Sequence, residues 1–132
     1  MASQLLAAFC GTIVLAVSTV VPSACAQSND LAGEPLVPSQ FRGEWNVDLS
    51  ACGTDTSDTR LQIGADSIRF WESEGPVTEI KRHGVSEFTA TVRLSGEGES
   101  WNERLHFRLS PDGKTLIDLR PDSDGFSRKR CP

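Results

Sequence analysis

From Phe41 onward the chain alternates between apolar and polar positions with a period of two. In "FRGEWNVDL" the residues Phe41, Gly43, Trp45, Val47 and Leu49 share one face, and Arg42, Glu44, Asn46 and Asp48 share the other. Such alternation predicts a half-buried β-strand, because successive side chains in a strand point to opposite sides of the sheet. The pattern returns at 60–63, 67–71, 87–94 and 101–109, and in shorter form at 115–120 and 126–131. Between Val77 and Arg82 the period slips, which predicts a strand carrying a β-bulge. The breaks are turn chemistry: "SPDGKT" at 110–115, "PDSDG" at 121–125, "ESEG" at 72–75, "SGEGES" at 95–100 and "GAD" at 64–66. No stretch has the apolar spacing of a long amphipathic helix. About eight short strands in a meander, each with one apolar face, predict an all-β fold, a small antiparallel up-and-down barrel. Closure removes the exposed edges that an open sheet would present. The alternative is an open two-sheet sandwich.

The first part of the chain has a different pattern. Residues 1–26 hold no Asp, Glu, Lys or Arg, and the apolar run "LLAAFCGTIVLAVSTVV" ends at Pro22 before "SACA". An apolar core, a helix breaker and small residues at Ala24-Cys25-Ala26 predict a secretory signal peptide cleaved before Gln27. The leading "MASQ" lacks the usual basic residue. An uncleaved membrane anchor and a lipid on Cys25 are the alternatives; Pro22 sits where a lipobox wants Leu. Residues 27–40, "QSNDLAGEPLVPSQ", predict a flexible lead that ends in a segment plugging one end of the domain, and residues 41–132 predict the barrel domain.

Removing the signal takes Cys10 and Cys25 with it and leaves Cys52 and Cys131, 79 positions apart. Two cysteines in an exported chain predict a disulfide. Cys52 is expected to end the first strand and Cys131 the last. Those strands are neighbours in a closed barrel, so the bond would staple the closure seam. A catalytic cysteine is disfavoured, since Cys131 is the penultimate residue and no His adjoins either position.

All 18 acidic and 13 basic residues lie beyond position 26, so the net charge of −5 belongs to the exported part. That balance, with no basic stripe, excludes a nucleic-acid partner; the cluster Arg128-Lys129-Arg130 reads as a solvated last strand. His83 and His106 share no metal-ligand spacing with each other or with the cysteines, so neither a metal nor a cofactor is expected. "DTSDT" at 55–59 and "DSDG" at 122–125 are oxygen-rich turns without EF-hand spacing. No nucleophile elbow or phosphate loop is present.

Phe41-x-Gly43-x-Trp45 at the head of a meander resembles the G-x-W motif of lipocalins and other calycin barrels. The resemblance implies a Trp closing one barrel end beneath an Arg of the last strand, supplied here by Arg128 or Arg130. The chain is shorter than a lipocalin and lacks its C-terminal helix, which counts against a deep cavity. Residues 41–132 also resemble a group of small exported bacterial proteins, through "RGEW" (42–45), Cys52, "IRFWESEG" (68–75), "GEGESW" (96–101), "DGKTLI" (112–117) and the terminal "RCP". That resemblance implies fold and compartment and transfers no catalytic residue.

Two carboxylates fall in phase with apolar faces: Glu72 with Ile68 and Phe70, and Glu103 with Trp101 and Leu105. An inward carboxylate is costly unless paired or hydrated. They predict either a ligand site at a barrel mouth, or a solvent-reaching Glu72 with Glu103 paired to Arg120 or Arg128. The first version would use Trp45, Phe70, Glu72, Trp101, Glu103 and Arg128. A glycosidase acid/base pair is disfavoured by the small domain. Trp71, turned outward beside Arg69, is expected to be an interface anchor or to lie under Leu36 or Val37 of the lead. The expected function is a non-enzymatic periplasmic or secreted binding module of calycin type. Its partner is a small or partly apolar ligand at the barrel mouth, or else an envelope protein. In the second case it acts as an interaction protein, such as an inhibitor of an envelope hydrolase of the protease or lysozyme class. Loops 52–59, 72–76 and 95–100 would then make the contact, with no stable membrane span after cleavage.

Overall fold

In the computed structural model every run of alternating residues becomes a strand. The structure describes residues 36–132; the predicted signal peptide, its expected cleavage site and the first part of the expected lead lie outside the described residues. The strands are β1 (Gly43–Asn46), β2 (Leu61–Ile63), β3 (Ser67–Arg69), β4 (Glu74–Arg82), β5 (Glu87–Gly96), β6 (Glu99–Leu109), β7 (Thr115–Asp118) and β8 (Ser127–Arg130). Each pairs antiparallel with the next and β8 returns to β1, which closes the barrel. The expected bulge is present as a register shift between Val77 and Glu79 on β4.

The first strand is shorter than the alternation suggests. Phe41 belongs to a 3-10 turn, Ser39–Phe41, and Leu49–Ala51 forms another. Val47 and Leu49 are exposed rather than inward. The physical cause is local. The Asp48 side chain accepts hydrogen bonds from the backbone N–H and the hydroxyl of Ser50, at 2.8 and 2.7 Å, and turns the backbone out of the sheet. The chain then folds back along β1, where Gly53 N–H donates to Glu44 Oε1 at 2.9 Å. That reversal is required by topology. In an antiparallel pair the end of the first strand lies opposite the start of the last, so Cys52 must come back to reach Cys131. The disulfide Cys52–Cys131 is formed, with Cα atoms 5.7 Å apart.

The interior is filled by side chains. Phe41 packs edge-on to Phe88 at 4.7 Å, and Phe88 to Phe107 at 5.8 Å. Leu61, Ile68, Val92, Leu105 and Leu116 complete the layer around them. Each such side chain contributes roughly 1.5–3 kcal/mol when removed from water. The lead ends in the expected plug: Val37 is fully buried, its N–H donates to Ala65 O at 2.9 Å, and Arg42 returns two bonds to Val37 O. The plug, the turns 64–66, 83–86 and 110–114, and the start of β1 make the lower end. The turns 70–73, 97–98 and 119–126 make the upper end.

Arg130, and not Arg128, lies over Trp45, with its guanidinium carbon 4.1 Å from the ring centroid. It donates to the carbonyls of Gln40, Arg42 and Gly113, tying the plug, β1 and the β6–β7 turn together.

Outside the barrel, Glu87 accepts from Arg108 Nε at 2.8 Å and pairs with His106 Nε2 at 2.6 Å. These contacts, Arg108 foremost, hold the Glu87 carboxyl below its ordinary value of 4.5. A carboxyl lowered in the folded state stabilises the fold fully above its unfolded value and loses that contribution as pH falls through the folded one. Glu87→Gln is therefore expected to lower the urea midpoint at pH 7, with the gap to wild type narrowing as pH falls below 4.5. Midpoints at pH 7 and pH 3 test this, and an unchanged gap rejects it.

Candidate functional site

The upper end gathers the residues of interest. The β5–β6 tip is a two-residue hairpin turn, Glu97-Gly98, with φ of 51° and 81°. Positive φ at both positions gives the turn a twist that suits paired strands. The tip lies against the turn between β3 and β4 because glycines allow it. A Cβ on Gly96 would sit 2.3 Å from the Glu72 carbonyl oxygen, and one on Gly75 would sit 1.8 Å from the Arg93 carbonyl oxygen. Gly96→Ala is expected to separate the two hairpins and cost roughly 1–3 kcal/mol by overpacking. A urea titration measures this, and an unchanged midpoint would show that the hairpins do not need that contact.

Between the hairpins lies an open crevice of about 520 Å³ lined by Glu72, Ser73, Gly96, Glu97, Glu99 and Trp101. Trp101 is 39% exposed. Among the described residues, Glu72, Glu97 and Glu99 have no ion-pair partner. Two smaller depressions continue the crevice around the turn. One shares Glu72 and Ser73 with it and adds Phe70 and Trp71. The next shares Phe70 and Trp71 and reaches Asp55 and Arg60. Trp71 is 50% exposed, and its indole N–H donates to Asp55 O at 3.2 Å. Leu36 and Val37, expected as its cover, belong to the plug at the lower end. Arg69 pairs with Glu74 at 3.5 Å, both side chains exposed.

The structure divides the predicted site residues. Glu72 and Trp101 meet in the crevice, and Phe70, Trp71 and Arg69 line its continuation. Glu72 is exposed because β3 stops at Arg69. Glu103 instead pairs with Arg120 at 3.0 Å. Arg120 is also bound to the buried Asp118 at 2.7 Å, which joins β6 to the upper end of β7 through one cation. Arg128 lies beside it, buried, with Nε donating to Thr59 O at 2.7 Å and the Phe126 ring 4.6 Å away. Burial pushes Arg128 down to about 10, against the opposing pull of Asp118, so it remains a cation near neutral pH. Trp45 is fully buried, with its indole N–H on Phe41 O at 2.9 Å. It is a core residue, since no open mouth reaches it.

Several contributors escaped the alternation. Glu97 and Glu99 lie in the crevice; the phase of Glu99 with Trp101 and Glu103 was the available signal. Asn46, on the polar face of its strand, is fully buried, and its Oδ1 accepts from Ser57 and Thr59 at 2.9 and 2.7 Å. The rings of His83 and His106 lie 5.7 Å apart, tilted at 49° to one another, despite their separation in sequence. Among the described residues, the three-ligand group close enough to hold a metal is Glu44, Cys52 and Cys131. The disulfide occupies both of its sulfurs. No helix among the described residues is long and apolar enough to cross a membrane. Comparison with protein-family models, curated proteins and solved structures finds no match to this chain.

Proposed function

We propose that this protein is a non-enzymatic binding module of calycin type, exported to the periplasm or beyond, that engages an envelope protein through its upper rim. The observation that carries this is the contrast between the two parts of the barrel. The interior is packed with aromatic and aliphatic side chains, whereas the three candidate loops converge outside it around two half-exposed indoles. A carrier of apolar small molecules encloses its ligand. An interaction protein instead presents exposed anchors on a rigid scaffold. Inhibition of an envelope hydrolase is one form such binding takes. The crevice offers carboxylates, a serine and an indole, groups that suit recognition of a partner's side chains.

A small ligand held at the mouth is the second reading, favoured by the meeting of Glu72 and Trp101 in one crevice. Two measurements separate the readings. Native mass spectrometry of the protein purified from its own host is expected to show no retained small molecule. Photo-crosslinking in that host, from position 97 at the rim and position 85 at the lower end, is expected to capture a protein from the rim alone. A retained small molecule, or equal capture from both ends, would overturn the proposal.

A further inference from the structure

We infer that the rim binds an extended, basic segment of its partner, with a Lys or Arg side chain seated against Trp101 among Glu72, Glu97 and Glu99. This rests on the rim being the docking surface. Shape and charge carry it. The three depressions are linked end to end by shared residues around the 69–74 turn, so together they form a trough and not one pit. A trough suits an extended chain that sets successive side chains into successive depressions, as in peptide recognition generally. The widest depression, about 520 Å³, is acidic and contains an indole with a free surface. A cation gains there from two sources at once. The face of the indole attracts it through the ring quadrupole, and the carboxylates attract it directly. At the other end Phe70 and Trp71 offer aromatic surface beside Arg60 and Arg69, each already paired with a carboxylate, so that end suits an apolar neighbouring side chain and the basic one belongs in the widest depression. Trp71 is already held in place by Asp55 O, so ordering it on binding costs little.

The same surface disfavours other occupants. An anionic partner would meet three carboxylates without a cation in the widest depression. A purely apolar one would leave those carboxylates desolvated.

The test uses the mature protein as bait for a phage-displayed library of random nonapeptides. The expected outcome is enrichment of peptides carrying Lys or Arg. Synthetic versions should bind at least tenfold more weakly to Glu97→Gln/Glu99→Gln and to Trp101→Ala, with affinity falling as salt rises. Acetylating the peptide lysines should abolish binding of the Lys-dependent peptides. The double Glu variant alters only exposed side chains, so it separates lost recognition from lost folding if Trp101→Ala proves unstable. Enrichment of acidic or uncharged peptides, no enrichment, or equal binding by the double variant would overturn the inference. Spermidine binding as tightly as the best peptide would overturn the extended segment in favour of a small organic cation. If the rim still crosslinks a protein while basic peptides fail, only this inference falls. If the rim captures nothing, the docking reading itself falls.

Discussion

Replacing both Cys52 and Cys131 by alanine is expected to lower the stability of the fold by about 4 kcal/mol, shifting its thermal midpoint down by roughly 20 °C. The bond joins positions 79 apart, so in the unfolded chain it closes a loop that contains nearly the whole barrel. In the chain-entropy account, a loop of that length removes much of the freedom that unfolding would otherwise gain. The seam it spans is also short. β1 and β8 share only the pairs Trp45–Arg130 and Asn46–Lys129 in register, whereas β5 and β6 are paired from Glu87–Arg108 to Gly96–Glu99. Thermal and urea unfolding of the double variant against the oxidised protein measures the effect. A midpoint within a few degrees of wild type would mean that the plug and the Arg130 contacts close the barrel without help. The same comparison on wild type with and without dithiothreitol should agree, because both cysteines are only partly buried.

What the alternation could show, and what it could not, follows from its physics. A period of two reports which side of a sheet a residue faces, so the number of strands, their order and most of the inward set from Leu61 to Leu109 were legible; Trp101, in phase with Leu105, is 39% exposed because that end of β6 belongs to the rim hairpin. The pairing of Cys52 with Cys131 was legible because only one partner remained once the predicted signal peptide was set aside. Strand ends were not legible, since they depend on local hydrogen bonds. Asp48 capturing Ser50 ends β1 three residues before the alternation stops. Asn46 looked solvent-facing because its cover, Ser57 and Thr59, comes from a loop with no periodic pattern. The rim crevice was half legible. Glu72 stood out as a carboxylate in phase with an apolar face and Trp101 was named beside it, but their meeting depends on the approach of two hairpins through Gly96 and Gly75. Glu103 was legible to the same degree: of its two expected roles, the ion pair with Arg120 is the one formed, and the ligand contact is not.

Trp45→Ala is expected to cost about 3–5 kcal/mol, enough to leave a small domain partly unfolded at room temperature. Three losses coincide at this position. The side chain has no exposure, so its removal leaves a cavity that the closed sheet around it is slow to fill. Its N–H is the donor to Phe41 O at 2.9 Å, so that carbonyl would be left inside without a partner. Arg130 rests on the indole face at 4.1 Å while holding three carbonyls of the lower end, so the clamp loses its support. Trp45→Phe separates these contributions. It keeps most of the volume and an aromatic face for Arg130 but not the N–H, and is expected to cost roughly 1–3 kcal/mol, the range of one unsatisfied buried acceptor. Urea unfolding of both variants decides the matter. If Phe costs as much as Ala, the hydrogen bond to the plug dominates and the cavity does not. If Ala costs under about 1 kcal/mol, the lower end is held by the edge-on contacts of Phe41 with Phe88 and by the buried Val37, and the motif's Trp and Arg are dispensable to this barrel.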